Sequence, residues 1–360
     1  MALLAQSLAA RGHEVALVAP GYGGEAETIA GVRLLSGWRK DQGVRVLRSL
    51  TYRAPTLHRV LLDQQADVYY VRGRAHFTPV VMHAARRAGA VSLLGLANDR
   101  DLLEDRSRLP YGLGSSPAAA AAGRLEYAYF QRGAIKPADW IITQHEGQSA
   151  LCARMGLRHL LIPNIVSAPA GGPPDEPQEH DAVWVGNVHR DDRSRKGLVE
   201  LVELAERASS LRFAVIGRFT SRFAEESLAK LAALPNVTVL GAREHAETLA
   251  AIARSRVVIN TSAWEGLSNV MLEGWALYRP ALALCVDPNG LLSSGELGGC
   301  AGGDLEVMAA MLARLARDEA ARREIGARCA VYVARVHGAD AVCAQYEALF
   351  DSQPPVARTV

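Results

Sequence analysis

The sequence has little of what marks a secreted, metal-binding or membrane-spanning chain. Its five cysteines, Cys152, Cys285, Cys300, Cys329 and Cys343, are odd in number, scattered and free of CxxC spacing. That usage argues against a disulfide framework or a zinc site and fits reduced thiols in a cytoplasmic enzyme. No apolar run approaches the roughly 20 residues that cross a bilayer. The apolar N-terminus, MALLAQSLAARGHE, lacks the charged leading region of a signal peptide. Excess charge is missing too. A formal net charge of +2, with acids and bases mixed, gives no reason to expect a nucleic-acid partner. No His/Cys/Asp cluster has metal-ligand spacing, so no metal or other cofactor is expected. The GYGG run at 21–24 lacks the lysine and the strand–helix setting of a phosphate loop and reads as a turn.

What is present is ordinary globular composition, 49% hydrophobic and 22% charged, over 360 residues, enough for two cores. Short β-branched runs alternate with Ala/Leu/Arg-rich helical stretches. Strands are expected at 15–19, 68–71, 91–96 and 140–143, then at 182–185, 213–216, 237–240, 257–260 and 281–284. Most are continuously apolar, as in parallel strands covered on both faces. Strands alternating with helices imply right-handed βαβ units.

The stretch SAPAGGPPDEPQEHD at 167–181 breaks this rhythm and reads as a linker. The expected division is an N-terminal domain at 1–165, a linker at 166–181 and a C-terminal domain at 182–338. A closing helix and tail at 339–360 is expected to pack back on the first domain. The beginning is unusual: residues 1–11 read as a helix already under way, so the strand that normally opens a doubly wound domain is expected to be missing.

The most informative segment is VVINTSAWEGLSNVMLEGWALYRP at 257–280. A buried strand enters a polar loop, and a helix starts near Asn269 with Ser268 and Asn269 as N-cap types. Unpaired backbone N–H groups at such a helix start favour phosphate at the carboxyl edge of a parallel sheet. Glu265 lies in the loop and Glu273 one turn into the helix, amid an apolar run where a solvated carboxylate has little reason to be. Alone, each reads more simply as a surface residue. A second segment, VWVGNVHRDDRSRKGL at 183–198, ends a strand at Gly186 and carries a basic loop to Lys196 and Gly197. Fixed cations there would suit a diphosphate, though a solvated charged loop is the simpler reading.

Together these segments resemble the Glu-x7-Glu signature of family 4 retaining glycosyltransferases, which have the GT-B fold: two Rossmann-like, doubly wound parallel-sheet domains facing a cleft. Glu265, Gly266, Asn269, Glu273 and Pro280 fall into the pattern. The resemblance implies that Glu265 contacts hydroxyls of the transferred sugar and Glu273 the ribose of the nucleotide. The backbone at Leu267, Ser268 and Asn269 would hold the distal phosphate. Lys196 matches the family lysine, and Arg190 is the choice for its arginine, with Arg193 and Arg195 as substitutes. Gly186 belongs to the same donor site. Asn98 and Asp99, after the strand at 91–96, are candidate sugar or acceptor contacts where many members carry a histidine. A strand-end Asp is more often a cap. His145 and Glu146 read as surface residues.

The implied partners are a UDP- or GDP-type nucleotide sugar and a glycan, small-molecule or lipid-linked acceptor. The likeness to bacterial polysaccharide-assembly transferases adds a cytoplasmic location with peripheral contact at the inner membrane face. Such enzymes generally need no bound metal. The rival readings are a nucleotide-sugar epimerase of related fold, a truncated non-catalytic nucleotide-binding protein, and a two-lobe solute-binding protein.

Overall fold

The computed structural model describes residues 1–19, 26–39, 42–43, 49–73, 77–98, 101–102, 138–167, 172–174, 177–188 and 196–352. The chain divides into two compact units. Unit 1 is Met1–Pro163 with Val342–Val360, and unit 2 is Asn164–Ala341. The chain therefore passes between units at 163/164 and 341/342, where the sequence suggested 165/166 and 338/339.

Unit 1 opens with helix α1 (Ala2–Ala10) and strand β1 (Val15–Ala19). A hairpin of β2 (Glu27–Ile29) and β3 (Val32–Ser36) follows, with β3 parallel to β1 and antiparallel to β2. The sequence reading missed this hairpin. Its two-residue turn, Ala30-Gly31, has φ of 48° and 78°, the double positive φ of a type I′ turn without the usual Asn-Gly signal. After α2 (Ala54–Asp63), four strands form a second sheet in the order β4 (Val68–Arg72), β5 (Val91–Gly95), β6 (Trp140–Thr143), β7 (His159–Leu161). All its pairings are parallel. Helix α3 (Thr78–Ala88) joins β4 to β5, and α4 (Glu146–Arg154) joins β6 to β7. Leu93, Leu94, Ile141 and Ile142 are buried, as continuously apolar parallel strands require.

Unit 2 is one six-stranded parallel sheet: β8 (His180–Val185), β9 (Phe213–Ile216), β10 (Val237–Gly241), β11 (Ser255–Asn260), β12 (Ala281–Ala283) and β13 (Gly298–Cys300). Its spatial order is β10-β9-β8-β11-β12-β13, the doubly wound order. The helices are α5 (Leu198–Arg207), α6 (Arg222–Ala233), α7 (His245–Ala253), α8 (Asn269–Ala276), α9 (Leu305–Arg317) and α10 (Glu319–His337). One core joins the sheet to both helix layers, with Trp275, Phe213, Leu201 and Met271 fully buried. The linker reading ran two residues too far. His180 and Asp181 already belong to β8, and Asp181 is buried, held by Arg256 Nη1 at 2.6 Å and the Arg212 N–H at 2.8 Å. Short β13, all Gly-Gly-Cys, gave no apolar run to read.

Helix α11 (Ala339–Asp351) begins in unit 2 and, from Val342, belongs to unit 1. There Glu347 bonds Arg11, and Tyr346 meets the Tyr70 ring of β4 edge-on. Among the described residues, no helix is long and apolar enough to cross a membrane.

Candidate active site

In unit 2 the strand order reverses between β8 and β11. Loops leaving two such neighbours at their carboxyl ends run apart and open a crevice. Both segments singled out in the sequence leave the sheet at this point. The loop after β8 delivers Lys196 and Gly197 to the start of α5, and the loop after β11 delivers Glu265 and the start of α8.

Lys196 Nζ lies 2.6 Å from Glu265 Oε1, with both side chains half-buried. The other carboxylate oxygen, Oε2, accepts from Asn260 Nδ2 at 3.0 Å and from Ser262 Oγ at 3.3 Å. Asn260 uses both ends of its amide, because its Oδ1 accepts the Ser262 N–H at 2.8 Å. Glu265 is thus held by three side-chain donors. The two loops are also stitched together. Thr261 Oγ1 accepts from Trp184 Nε1 at 3.0 Å and donates to the Lys196 carbonyl at 3.1 Å. These groups border a small open pocket lined by Trp184, Lys196, Asn260, Ser262, Glu265 and Ser268, among others.

Helix α8 starts from Ser268, which makes no side-chain cap. Among the described residues the N–H groups of its first turn have no hydrogen-bond acceptor, at the positive end of the helix dipole. Gly266, Leu267 and Ser268 are buried in the loop, whereas Asn269 is exposed and its Oδ1 accepts from Asn164 Nδ2 at 3.0 Å. One turn in, Glu273 Oε1 lies 2.9 Å from Nε2 of His245, the first residue of α7. Each carboxylate of the crevice therefore has a basic side chain against it. Gly186 follows β8 and donates its N–H to the Ile216 carbonyl at 3.0 Å, and the next residue, Asn187, accepts the Arg218 N–H at 2.8 Å.

Arg190, with its substitutes Arg193 and Arg195, and Asp99 lie outside the described residues, as does the GYGG run. Asn98 is half-buried, and the loop around it is held by Asp101, whose Oδ2 accepts the N–H groups of Ala97 at 2.7 Å and Asn98 at 3.2 Å. His145, expected at the surface, is buried at the start of α4. Sequence reasoning missed Asn260, His245 and the side chain of Asn164. Asn260 carried a signal, a polar residue ending the apolar run VVIN. His245 carried none, since only the fold brings it to Glu273.

Residues 1–165 match the family model described as glycosyl transferase 4-like domain, and residues 179–318 match the model described as glycosyl transferases group 1. Each half thus matches a glycosyltransferase domain model. Solved structures agree on a GT-B fold of two Rossmann-like units. Sucrose-phosphate synthase from Thermosynechococcus elongatus superposes with a TM-score of 0.71 at 17% identity, over 97% of this chain and 92% of that one. A mutant of S. aureus TarM, in complex with Fondaparinux, alpha-GlcNAc-glycerol and UDP, gives 0.63 at 14% identity over 83% of this chain. This chain spans only 59% of the length of TarM. Anabaena HepE in complex with UDP gives 0.60 at 15% identity, over 90% and 87% of the two chains. No curated protein matches the sequence.

Proposed function

We propose that the chain is a retaining glycosyltransferase of family 4 that moves a sugar from a nucleoside diphosphate sugar to a glycan or lipid-linked acceptor. One observation carries this reading. At the point of strand-order reversal, an ammonium (Lys196), an uncapped helix terminus and a carboxylate held by three donors (Glu265) share one crevice. A diphosphate needs the first two, and a sugar ring, rich in hydroxyls, needs the third.

In the proposed reaction the bond between the anomeric carbon and the diphosphate oxygen breaks, and the electron pair goes to the leaving diphosphate. Lys196, Arg190 and the first-turn amides of α8 stabilise that growing charge. The acceptor hydroxyl forms the new bond at the same carbon and passes its proton to an oxygen of the departing diphosphate. Glu265 orients the transferred sugar, Glu273 the ribose, and Asn98 and Asp99 contact the sugar or the acceptor. No metal ion is assigned, since the ammonium and the helix terminus supply the positive field. The UDP in the TarM and HepE complexes makes UDP-sugars the first donors to try. A lipid-linked acceptor places the enzyme at the cytoplasmic membrane face, which sedimentation with anionic vesicles checks.

Thermal stabilisation by a panel of UDP-, GDP- and dTDP-sugars identifies the donor. Product NMR with that donor then reports the anomeric configuration, in buffer containing EDTA. Lys196→Ala and Glu273→Ala are each expected to weaken donor binding at least tenfold by calorimetry. Near-wild-type affinity in both variants removes the site assignment, and turnover of donor with no acceptor favours an epimerase instead.

A further inference from the structure

Asn164 opens unit 2, a hundred residues before the crevice it reaches. Its side chain is 6% exposed, yet its amide nitrogen donates to Oδ1 of Asn269, the first residue of α8, at 3.0 Å. A carboxamide has an acceptor end and a donor end. Occupying the oxygen of Asn269 directs its NH₂ the other way, where it has no hydrogen-bond partner among the described residues. That NH₂ stands at the same helix turn whose backbone amides are uncapped.

Asn164 is itself fixed from behind. Its carbonyl accepts from Nδ1 of His337 at 2.7 Å, and two residues on the Val166 N–H donates to the His337 carbonyl at 2.9 Å. His337 is 1% exposed, burial lowers its basicity, and because a carbonyl can only accept, its Nδ1 carries the proton of that bond. A rigid, buried amide thus aims a second, exposed one.

We infer that Asn164 is a positioning residue: by engaging the Asn269 oxygen, it presents the Asn269 NH₂ as a further donor to the distal phosphate of the nucleotide sugar. The inference rests on the reading of α8 as the phosphate-binding terminus. It makes the segment where the chain enters unit 2 part of the donor site. Without Asn164 the Asn269 amide rotates freely and presents oxygen to the anion for part of the time. An Asp in its place accepts rather than donates, and so fixes Asn269 with its oxygen toward the phosphate.

The test uses inorganic pyrophosphate, which carries no base or sugar, titrated calorimetrically into the whole chain. Asn164→Leu, neutral and of similar volume, is expected to weaken binding about fivefold, the equivalent of one ordinary hydrogen bond. Asn164→Asp is expected to weaken it more. Made on an Asn269→Ala background, Asn164→Leu should then cost nothing further, because the group it acts through is gone. A full fivefold loss on that background overturns the positioning role, as does unchanged binding in Asn164→Leu. Should Asn164→Leu not fold, Asn164→Ser takes its place in the same cycle. The wild-type titration separates the two claims. Failure of wild type to bind pyrophosphate, or binding indifferent to Lys196→Ala, removes the phosphate site. Binding that needs Lys196 but ignores Asn164 removes only this inference.

Discussion

Substituting Gly197 by alanine tests whether the Lys196 loop is held by close contact of two backbones. Gly197 adopts φ +62°, and an ideal Cβ there would overlap the Thr261 carbonyl, falling 2.5 Å from its carbon and 2.9 Å from the Thr261 Cβ. Ordinary carbon contacts are about 3.5–4.0 Å, so the loops after β8 and β11 must part by about 1 Å. Gly241 has nearly the same backbone, φ +71°, but nothing within 4 Å of the added atom. Gly241→Ala therefore measures conformational strain alone, about 1 kcal/mol. Gly197→Ala adds an overlap with backbone that no rotamer relieves, about 1–3 kcal/mol more. At about 2–4 °C per kcal/mol for a unit of this size, the expected Tm losses are about 2–4 °C for Gly241→Ala and about 5–15 °C for Gly197→Ala. Scanning calorimetry measures both. Equal losses would refute the close-contact account, because only strain would then matter. Relief of the overlap also lengthens the 3.1 Å bond from Thr261 Oγ1 to the Lys196 carbonyl. Pyrophosphate affinity should fall in Gly197→Ala even at temperatures where it is fully folded.

Glu265→Gln removes the charge opposite Lys196 while keeping the neighbours Asn260 and Ser262. Pyrophosphate binding should tighten several-fold, and turnover should fall by more than tenfold; parallel movement of the two contradicts separate roles for anion and sugar. His245→Ala should weaken donor binding in the wild type and have no effect in Glu273→Ala, read by the same titration. In acid, stability should fall in two stages. His58, His180 and His337 are held below the usual histidine value of 6.5, first of all by burial. The unfolded chain then binds more protons than the native one, so their contribution is present above about pH 6.5 and is lost as pH drops below it. His337→Asn should flatten the urea-unfolding profile between pH 7.5 and 5.5. Glu347 is pulled down to about 2, chiefly by its hydrogen bonds to Arg11 and His13. Its contribution persists above the usual 4.5 and disappears only toward pH 2. Glu347→Gln should therefore leave the slope above pH 5 unchanged.

The parallel sheets were legible because their strands are buried on both faces and announce themselves as apolar runs: FAVI at 213–216 in unit 2 and WIIT at 140–143 in unit 1 are read to the residue. What escaped notice was built from atypical material. Gly298–Cys300 pairs through backbone alone, and the Ala30-Gly31 turn depends on an alanine at positive φ. The same division holds at the crevice. Residues carried on the chain next to a strand end, Lys196, Glu265 and Ser268, are found by their spacing from that end. Partners supplied from elsewhere, Asn164 across 105 residues and His245 across 28, depend on the order of strands, which no local pattern records. Asp181 shows the converse error: its neighbours' prolines and acids outweighed its true place, buried within β8 and paired with Arg256.

The arrangement also solves a problem of charge. A site that receives a diphosphate cannot place two carboxylates beside it unless each is prevented from facing the phosphates. Here Glu265 is fixed by an ammonium, an amide and a hydroxyl, which occupy three of its roughly four acceptor sites. One site remains, suited to a sugar hydroxyl and useless to an anion. Glu273 is turned toward His245 on α7, one helical turn from the uncapped amides rather than among them. The positive elements, Lys196 and the α8 terminus, converge where the strand order reverses, while the negative ones are pinned to its flanks. A crevice sorted in this way favours a ligand with a charged centre and hydroxyl-bearing ends. It disfavours both a uniformly anionic polymer and a neutral sugar, so raising the salt concentration should weaken pyrophosphate far more than it weakens a nucleoside.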